Sequence, residues 1–140
     1  MKSAFVVRVL GSALLLGLSV SSGAYAQGAG AGGGRGGFTE QGGEAIFKNV
    51  CQGCHMPDAK GAVGAGMYPA LAKNPKLEVA GYPVSVIVNG QKAMPALGGM
   101  FSDQQVADVT NYIRTHFGNN YAPPVTAEDV LRLSPPKSAR

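Results

Sequence analysis

Two cysteines and a histidine stand together in the segment Cys51-Gln52-Gly53-Cys54-His55, and the chain has no other cysteine. The spacing is C-x-x-C-H. At the end of a helix, two thiols three positions apart can add to the two vinyl groups of one haem, and the adjacent histidine then reaches the iron from the same side. This pentapeptide is the attachment signal of c-type haem. We therefore expect one covalent haem on Cys51 and Cys54, with His55 as an iron ligand.

Three other interpretations of the two thiols fit the chain less well. A thioredoxin-like redox pair belongs near a βαβ pattern, and the sequence shows no strands. A closed zinc site needs a second pair of Cys or His ligands, and the only other histidine is His116. An oxidising compartment would favour a disulfide between the two cysteines. Haem attachment is the interpretation that also uses His55.

The second axial position decides between functions. A second strong ligand favours electron transfer, whereas an open position favours ligand binding or peroxide chemistry. The residues after the motif that could fill it are Met56, Met67, Met94, Met100 and His116. Met94 stands in a loop before the last helix, and Pro95 restricts it to extended conformations, which suits the presentation of a thioether. Met100 is the second candidate, and any of these methionines could instead fill gaps around the porphyrin.

The N-terminus predicts export. Lys2 and Arg8 give a positive start, an apolar run follows from Val9 to Val20, and Ala24-Tyr25-Ala26 matches a signal-peptidase site. The run is shorter than the ~20 apolar residues that span a bilayer. We expect residues 1–26 to be a cleaved signal peptide and the mature protein to be periplasmic, without stable membrane insertion. An uncleaved membrane anchor is the alternative.

Charge gives little indication of a partner. The full sequence has a formal net charge of +4, and loss of the leader removes two basic residues and no acidic one. No cluster of Lys and Arg with interleaved aromatics is present, so we expect no nucleic-acid binding. The remaining cations are expected at the surface, where they could rim a haem edge and steer an acidic partner. They are scattered along the chain: Lys48, Lys60, Lys73, Lys76, Lys92 and Arg114.

Composition divides the rest of the chain into three parts. Residues 27–37 are mostly glycine and are expected to form a disordered tether. Residues 38–118 form the predicted domain. Residues 119–140 form a proline-containing tail that either lies along the domain or serves as a docking strap.

Helical signals are the strongest secondary-structure pattern. Thr39 is a plausible N-cap for a helix over 40–50, in which Gly42 or Gly43 is needed for close helix contact. Loops are expected over 56–81, with a short helix near Pro75. Three further elements are predicted: a helix over 83–88 stopped by Asn89-Gly90, a helix from the capping box Ser102–Gln105 to Gly118, and a helical turn from Thr126 through Leu133.

From Thr39 to Phe117 the chain resembles the class I c-type cytochromes. Gly43 with Phe47 four positions later is similar to the family's first-helix signature, and Val109 with Tyr112 to its last helix. The resemblance implies an all-α class I cytochrome c fold: three to four helices wrapped around one covalent haem, with the N- and C-terminal helices packed crosswise.

The resemblance also implies two further site residues. Tyr68-Pro69-Ala70-Leu71 is similar to the loop whose proline carbonyl accepts the N–H of the proximal histidine, and Ala93-Met94-Pro95 to the axial-methionine loop. The implied site is therefore Cys51, Cys54, His55, Pro69 and Met94, with His55 and Met94 on the iron.

The function implied is that of a periplasmic electron carrier rather than an enzyme. The tail resembles the end of cytochrome subunits attached to periplasmic dehydrogenases, which implies a dehydrogenase as electron donor and a terminal oxidase or another cytochrome as acceptor. The alternative is a haem enzyme, or a haem protein reactive to gas or peroxide, with a labile sixth ligand.

Overall fold

The first helix carries the C-x-x-C-H motif. The structure is a computed structural model and describes residues 37–64 and 67–134. The helix, α1, is α-helical over Gly43–Ile46, π-helical over Phe47–Cys51 and α-helical again over Gln52–His55. π-Helical turns are rare and are frequently found at functional sites. The predicted signal peptide, and the predicted tether up to residue 36, lie outside the described residues.

The prediction that α1 begins at Glu40 behind a Thr39 cap was wrong. The helix begins at Gly43, and Gly42 before it has a φ of 80°. The reason is a distant side chain: Gln105 Nε2 donates to the carbonyl oxygens of Phe38 and Glu40, at 2.9 and 2.8 Å. These carbonyls are therefore held outside any helix.

The segment after α1 is mostly loop, as expected, but it contains a two-residue antiparallel pair. Strand β1 is Ala62–Val63 and strand β2 is Met67–Tyr68, with Ala62 opposite Tyr68. The expectation that the chain has no strands was therefore wrong, because this short pair is present. A 3₁₀ turn over Pro75–Leu77 confirms the short helix predicted near Pro75.

Three more α-helices follow within the described residues. Helix α2 is Gly81–Asn89, two residues longer at its start than predicted, and it ends at Gly90. Helix α3 is Asp103–Thr115, with the predicted capping box between Ser102 and Gln105 present. It ends before Gly118, because His116 is already extended and Phe117 has a φ of 57°. Helix α4 is Ala127–Leu133 and begins with a second capping box.

Helices α1 and α3 approach closely at Gly43. A Cβ at this position would overlap the Asp108 carbonyl oxygen and would lie 2.5 Å from the Cβ of Tyr112. This confirms that a glycine in α1 is needed for helix contact. Phe47 packs beside it, with its ring 4.7 Å from that of Phe117 and 5.7 Å from that of Tyr112.

The described part of the tail, residues 119–134, is part of the core. Val125 and Val130 are buried, and α4 packs on α3 and α2. The expectation that Arg114 is a surface cation was wrong: it is 1% exposed. Its guanidinium donates to Leu77 O at 2.9 Å, to Pro123 O at 2.6 Å and to Glu78 O at 3.2 Å.

The described residues all belong to one compact unit, and the fold they form is the small, mostly helical one that was predicted. The core consists of buried apolar side chains packed between α1, α2, α3 and α4. None of the helices in the described ranges is long and apolar enough to cross a membrane.

Candidate haem site

The last turns of α1 hold both cysteines and the histidine. Cys51 closes the π-helical segment, and Cys54 and His55 lie in the turn that follows. Both thiols are free; Cys54 is exposed and Cys51 half-buried. His55 is 8% exposed. One helical segment therefore presents two thiols and an imidazole in register.

The loop that follows β2 contacts the His55 ring. His55 Nδ1 lies 2.9 Å from Pro69 O. The chain reaches this point through Gly61, whose N–H donates to His55 O at 3.0 Å and whose φ is 70°. A Cβ on Gly61 would overlap the Tyr68 carbonyl oxygen and lie 2.8 Å from Pro69 C. The absence of a side chain at position 61 thus lets Pro69 come close to His55.

Met94 lies in a tight turn between α2 and α3. Gln91 and Met94 exchange two backbone hydrogen bonds, each 3.0 Å, across the turn residue Lys92, which has a φ of 54°. Gly90 sits under the turn, and a Cβ there would lie 2.7 Å from Met94 O and from Ala96 N. Met94 is half-buried and packs against the core. Among the hydrogen bonds of the described residues, none joins Met94 to His55.

The other candidate ligands are placed differently. Met67 is 77% exposed and Met100 41% exposed. Met56 directly follows α1 with a φ of 65°. His116 stacks on Tyr112 with ring centroids 4.1 Å apart, and its Nδ1 lies 2.9 Å from Tyr112 O. His116 is therefore engaged at the end of α3, the helix that packs on α1.

Comparison with known proteins decides the family. Residues 39–113 match the family described as cytochrome c oxidase, cbb3-type, subunit III, which is more than half of the 140 residues. The chain belongs to this family. It is a class I c-type cytochrome, and the c-type haem of such proteins is covalently bound.

Two kinds of named relatives are similar to this cytochrome. It is 39% identical over 101 residues to the cytochrome c subunit of a quinone alcohol dehydrogenase from Gluconacetobacter polyoxogenes, covering 62% of this chain and 21% of that one. It is 34% identical over 111 residues to a gluconate 2-dehydrogenase cytochrome c subunit from Pantoea cypripedii, covering 69% and 25%. It is 40% identical over 76 residues to cytochrome c6 from Bumilleriopsis filiformis, covering 51% and 84%. The chain thus spans about a quarter or less of the dehydrogenase subunits' length.

The donor set of α1 fits a covalent haem. Two unpaired thiols stand three positions apart, next to a histidine whose Nδ1 is engaged by Pro69 O. In the hydrogen bonds of the described residues, the His55 ring uses Nδ1 alone, which leaves Nε2 for a metal. No group of three or more His, Cys, Asp and Glu side chains within 37–64 and 67–134 is placed to hold a metal ion.

The thiol chemistry does not fit a redox-active dithiol. Burial, reinforced by the charge of the neighbouring Cys54, raises the pKa of the free Cys51 thiol to about 12. Reactive cysteines of disulfide oxidoreductases have lowered pKa values, because the thiolate is the nucleophile. Cys51 in this environment stays protonated at neutral pH.

Two buried polar residues went unnoticed in the sequence, and one of them bonds to the loop that contacts His55. Asn119 is 5% exposed and bonds to the loop after Pro69, although it looked like the start of a tail. Arg114 looked like one more surface cation. The one local signal was its position on α3, because the buried residues Thr110 and Ala107 lie one and two turns earlier on the same side.

Proposed function

We propose that this cytochrome carries single electrons on one haem attached to Cys51 and Cys54, with His55 and Met94 as the iron ligands. The observation that carries the proposal is the 2.9 Å contact between His55 Nδ1 and Pro69 O at the end of the helix that bears both thiols. When bound, the haem supplies an iron that accepts and releases one electron.

The role of His55 follows from its neighbours. A ring nitrogen that faces a carbonyl oxygen must carry the proton, so Nδ1–H donates to Pro69 O and Nε2 keeps its lone pair. Such a partner fixes the tautomer and the ring orientation and raises the basicity of the ligating nitrogen. Pro69 is accordingly a positioning residue.

The role of Met94 follows from its turn. The two bonds to Gln91 hold its backbone, and Pro95 after it keeps that backbone extended. A methionine ligand raises the reduction potential relative to a second histidine. This suits a carrier that accepts electrons from a dehydrogenase and passes them towards a terminal oxidase.

Partner and compartment are part of the same proposal. The relatives named as dehydrogenase cytochrome subunits support a dehydrogenase as electron donor, and those named cytochrome c6 support a small carrier. We assign residues 1–26 as a signal peptide for export to the periplasm, where c-type haem attachment and such partners would be found. Mass measurement of the N-terminus of the exported protein tests cleavage after Ala26.

The test of the function is a mediated redox titration of the holoprotein. We expect one reversible one-electron transition, and no rapid binding of carbon monoxide by the untreated reduced protein, because Met94 would already ligate the iron. Rapid carbon monoxide binding would contradict the proposal and favour a haem protein with an open site.

A further inference from the structure

We infer that Asn119 is a positioning residue for the axial histidine. It holds the loop over residues 69–74, here named the proximal loop, whose Pro69 carbonyl faces His55. The inference rests on the proposed ligation by His55 and adds to it the part of the chain that holds this carbonyl in place.

The Asn119 amide is buried and is bonded at both ends. Nδ2 donates to Leu71 O at 2.8 Å and to Ile113 O at 2.7 Å, and Oδ1 accepts from Asn74 N at 3.0 Å. Both N–H groups are used, and the carbonyl oxygen is used once. One side chain thus connects two points of the proximal loop to the end of α3.

The rest of the proximal loop is tied by backbone and by one local side chain. The N–H groups of Leu71 and Ala72 donate to Ala59 O at 2.8 and 2.9 Å, and Lys73 N donates to Phe117 O at 3.2 Å. Asn74 Nδ2 donates to Ala70 O at 2.7 Å, which stiffens the loop internally. Within the described residues, the proximal loop is bonded to α3 and to the residues just after it. In these bonds Asn119 contributes its side chain, whereas the bond from Lys73 N to Phe117 O joins backbone atoms.

Pro69 lies two residues before Leu71, so a displacement of Leu71 moves the carbonyl that accepts from His55. A hydrogen bond to the far nitrogen of a ligating histidine increases the electron donation to the metal. More donation favours the ferric state. Weakening the Pro69 contact should therefore raise the reduction potential and expose the Nδ1 proton to exchange.

Asn111 provides a matched control. It lies on α3 and bonds a backbone segment through both ends of its amide: Nδ2 donates to Val125 O at 2.8 Å and Oδ1 accepts from Val125 N at 2.7 Å. Its partner is in the chain before α4 and not in the proximal loop. Asn111→Ala should therefore cost a similar amount of stability without reaching His55.

The experiment compares the Asn119→Ala and Asn111→Ala holoproteins by redox titration and by NMR exchange of the His55 Nδ1 proton. We expect Asn119→Ala alone to raise the midpoint potential and to speed this exchange about fivefold, the factor that corresponds to the loss of one hydrogen bond of about 1 kcal/mol. If Asn119→Ala does not fold, Asn119→Asp keeps the shape and the acceptor for Asn74 N but loses both donors, and it is expected to speed the exchange of the His55 Nδ1 proton in the same way.

Two results would overturn the inference. One is a loss of stability in Asn119→Ala with unchanged potential and exchange, which would make Asn119 only a cap for α3. The other is an equal change in both variants, which would indicate general loosening. Failure of the proposed function itself is seen separately, as unchanged iron-ligation spectra in His55→Ala.

Discussion

The proximal loop and the Met94 turn are held by hydrogen bonds of different range along the chain. The proximal loop bonds to Asn119, which is 45 residues from Asn74 and 48 from Leu71. The Met94 turn closes on Gln91, and the chain just after it bonds back to α2, with Leu97 N donating to Ile87 O at 2.9 Å and Gly98 N to Val88 O at 3.1 Å. One proposed ligand is thus positioned by residues distant in sequence and the other by its neighbours.

This difference has a consequence for stability. Local openings of a folded protein involve the segments with the fewest packed contacts, and chain ends often lead. The proximal loop depends on the chain that runs into α4, because Asn119 stands between α3 and that helix. We therefore expect loosening of the bonds made by Asn119 to affect His55 before it affects Met94.

The largest expected effect is that of Gly61→Ala. The new Cβ would overlap the Tyr68 carbonyl oxygen, and the backbone has a φ of 70°. Strain at this φ and overpacking together should lower the free energy of unfolding by about 4 kcal/mol. Denaturant unfolding of the holoprotein measures it, and the His55 Nδ1 proton should exchange faster.

Gly64→Ala is the control for this change. Gly64 lies on the same hairpin, and its Cβ would meet nothing within 4 Å. A Gly61→Ala protein as stable as Gly64→Ala would mean that the approach of Pro69 to His55 does not depend on position 61.

Gly90→Ala is the corresponding change on the methionine side. Its Cβ would lie 2.7 Å from Met94 O, and its φ is 74°. We expect a loss of about 3 kcal/mol and a weakened far-red ferric Met–iron band, with the exchange of the His55 Nδ1 proton unchanged. Faster exchange of the His55 Nδ1 proton with an unchanged Met–iron band would contradict the assignment of Gly90 to the Met94 turn.

Arg114→Met tests the dependence on the C-terminal chain. Desolvation lowers the pKa of this guanidinium, but an arginine in a protein stays charged. Its loss leaves the carbonyls of Leu77, Glu78 and Pro123 without this donor, which should cost about 2 kcal/mol. Amide hydrogen exchange measures the effect, and we expect the backbone amides of α4 to exchange faster before those of the other helices do.

Arg132→Met is the matched control, because Arg132 is an exposed arginine paired with Asp129 on α4. Exposed pairs contribute less than about 1 kcal/mol. Equal effects of the two substitutions would show that burial of Arg114 does not matter for the tail.

The smallest expected effect is a pH dependence of the second capping box. The N–H of Thr126, which donates to Asp129 Oδ2 at 2.9 Å, and the Thr126 hydroxyl hold the pKa of Asp129 below its ordinary value. Stabilisation from a lowered pKa is present above the unfolded value of about 3.9 and is lost as the pH falls through the folded value. Asp129→Asn should lower the thermal midpoint slightly at pH 7, and the two proteins should converge in acid.

The same contrast of range explains what the sequence could and could not predict. The Met94 loop, the stop at Gly90 and the capping box at Ser102 were predicted, because each depends on residues a few positions apart. Gly43 was predicted from the resemblance, which already contains the helix contact. The start of α1 was missed because Gln105, 65 residues from Glu40, takes the carbonyl that a helix would use.

Buried polar residues with distant partners were the other failure. Arg114 and Asn119 are of types usually found at the surface, and their acceptors lie on segments that a periodic pattern does not bring together. Asn119 follows Gly118 directly, where a helix end is the ordinary interpretation. Only the packed structure shows that Asn119 holds the proximal loop and that Arg114 holds the chain at Leu77, Glu78 and Pro123.

The measurement that tests the central claim most directly is the far-red ferric Met–iron absorption of the holoprotein in Met94→Ala beside Met100→Ala. Met100 is the matched control, since it is an exposed methionine in the next turn. Ligation by Met94 predicts that the band is lost in the first variant and kept in the second. A band that survives in Met94→Ala would contradict the ligand assignment and with it the proposed site.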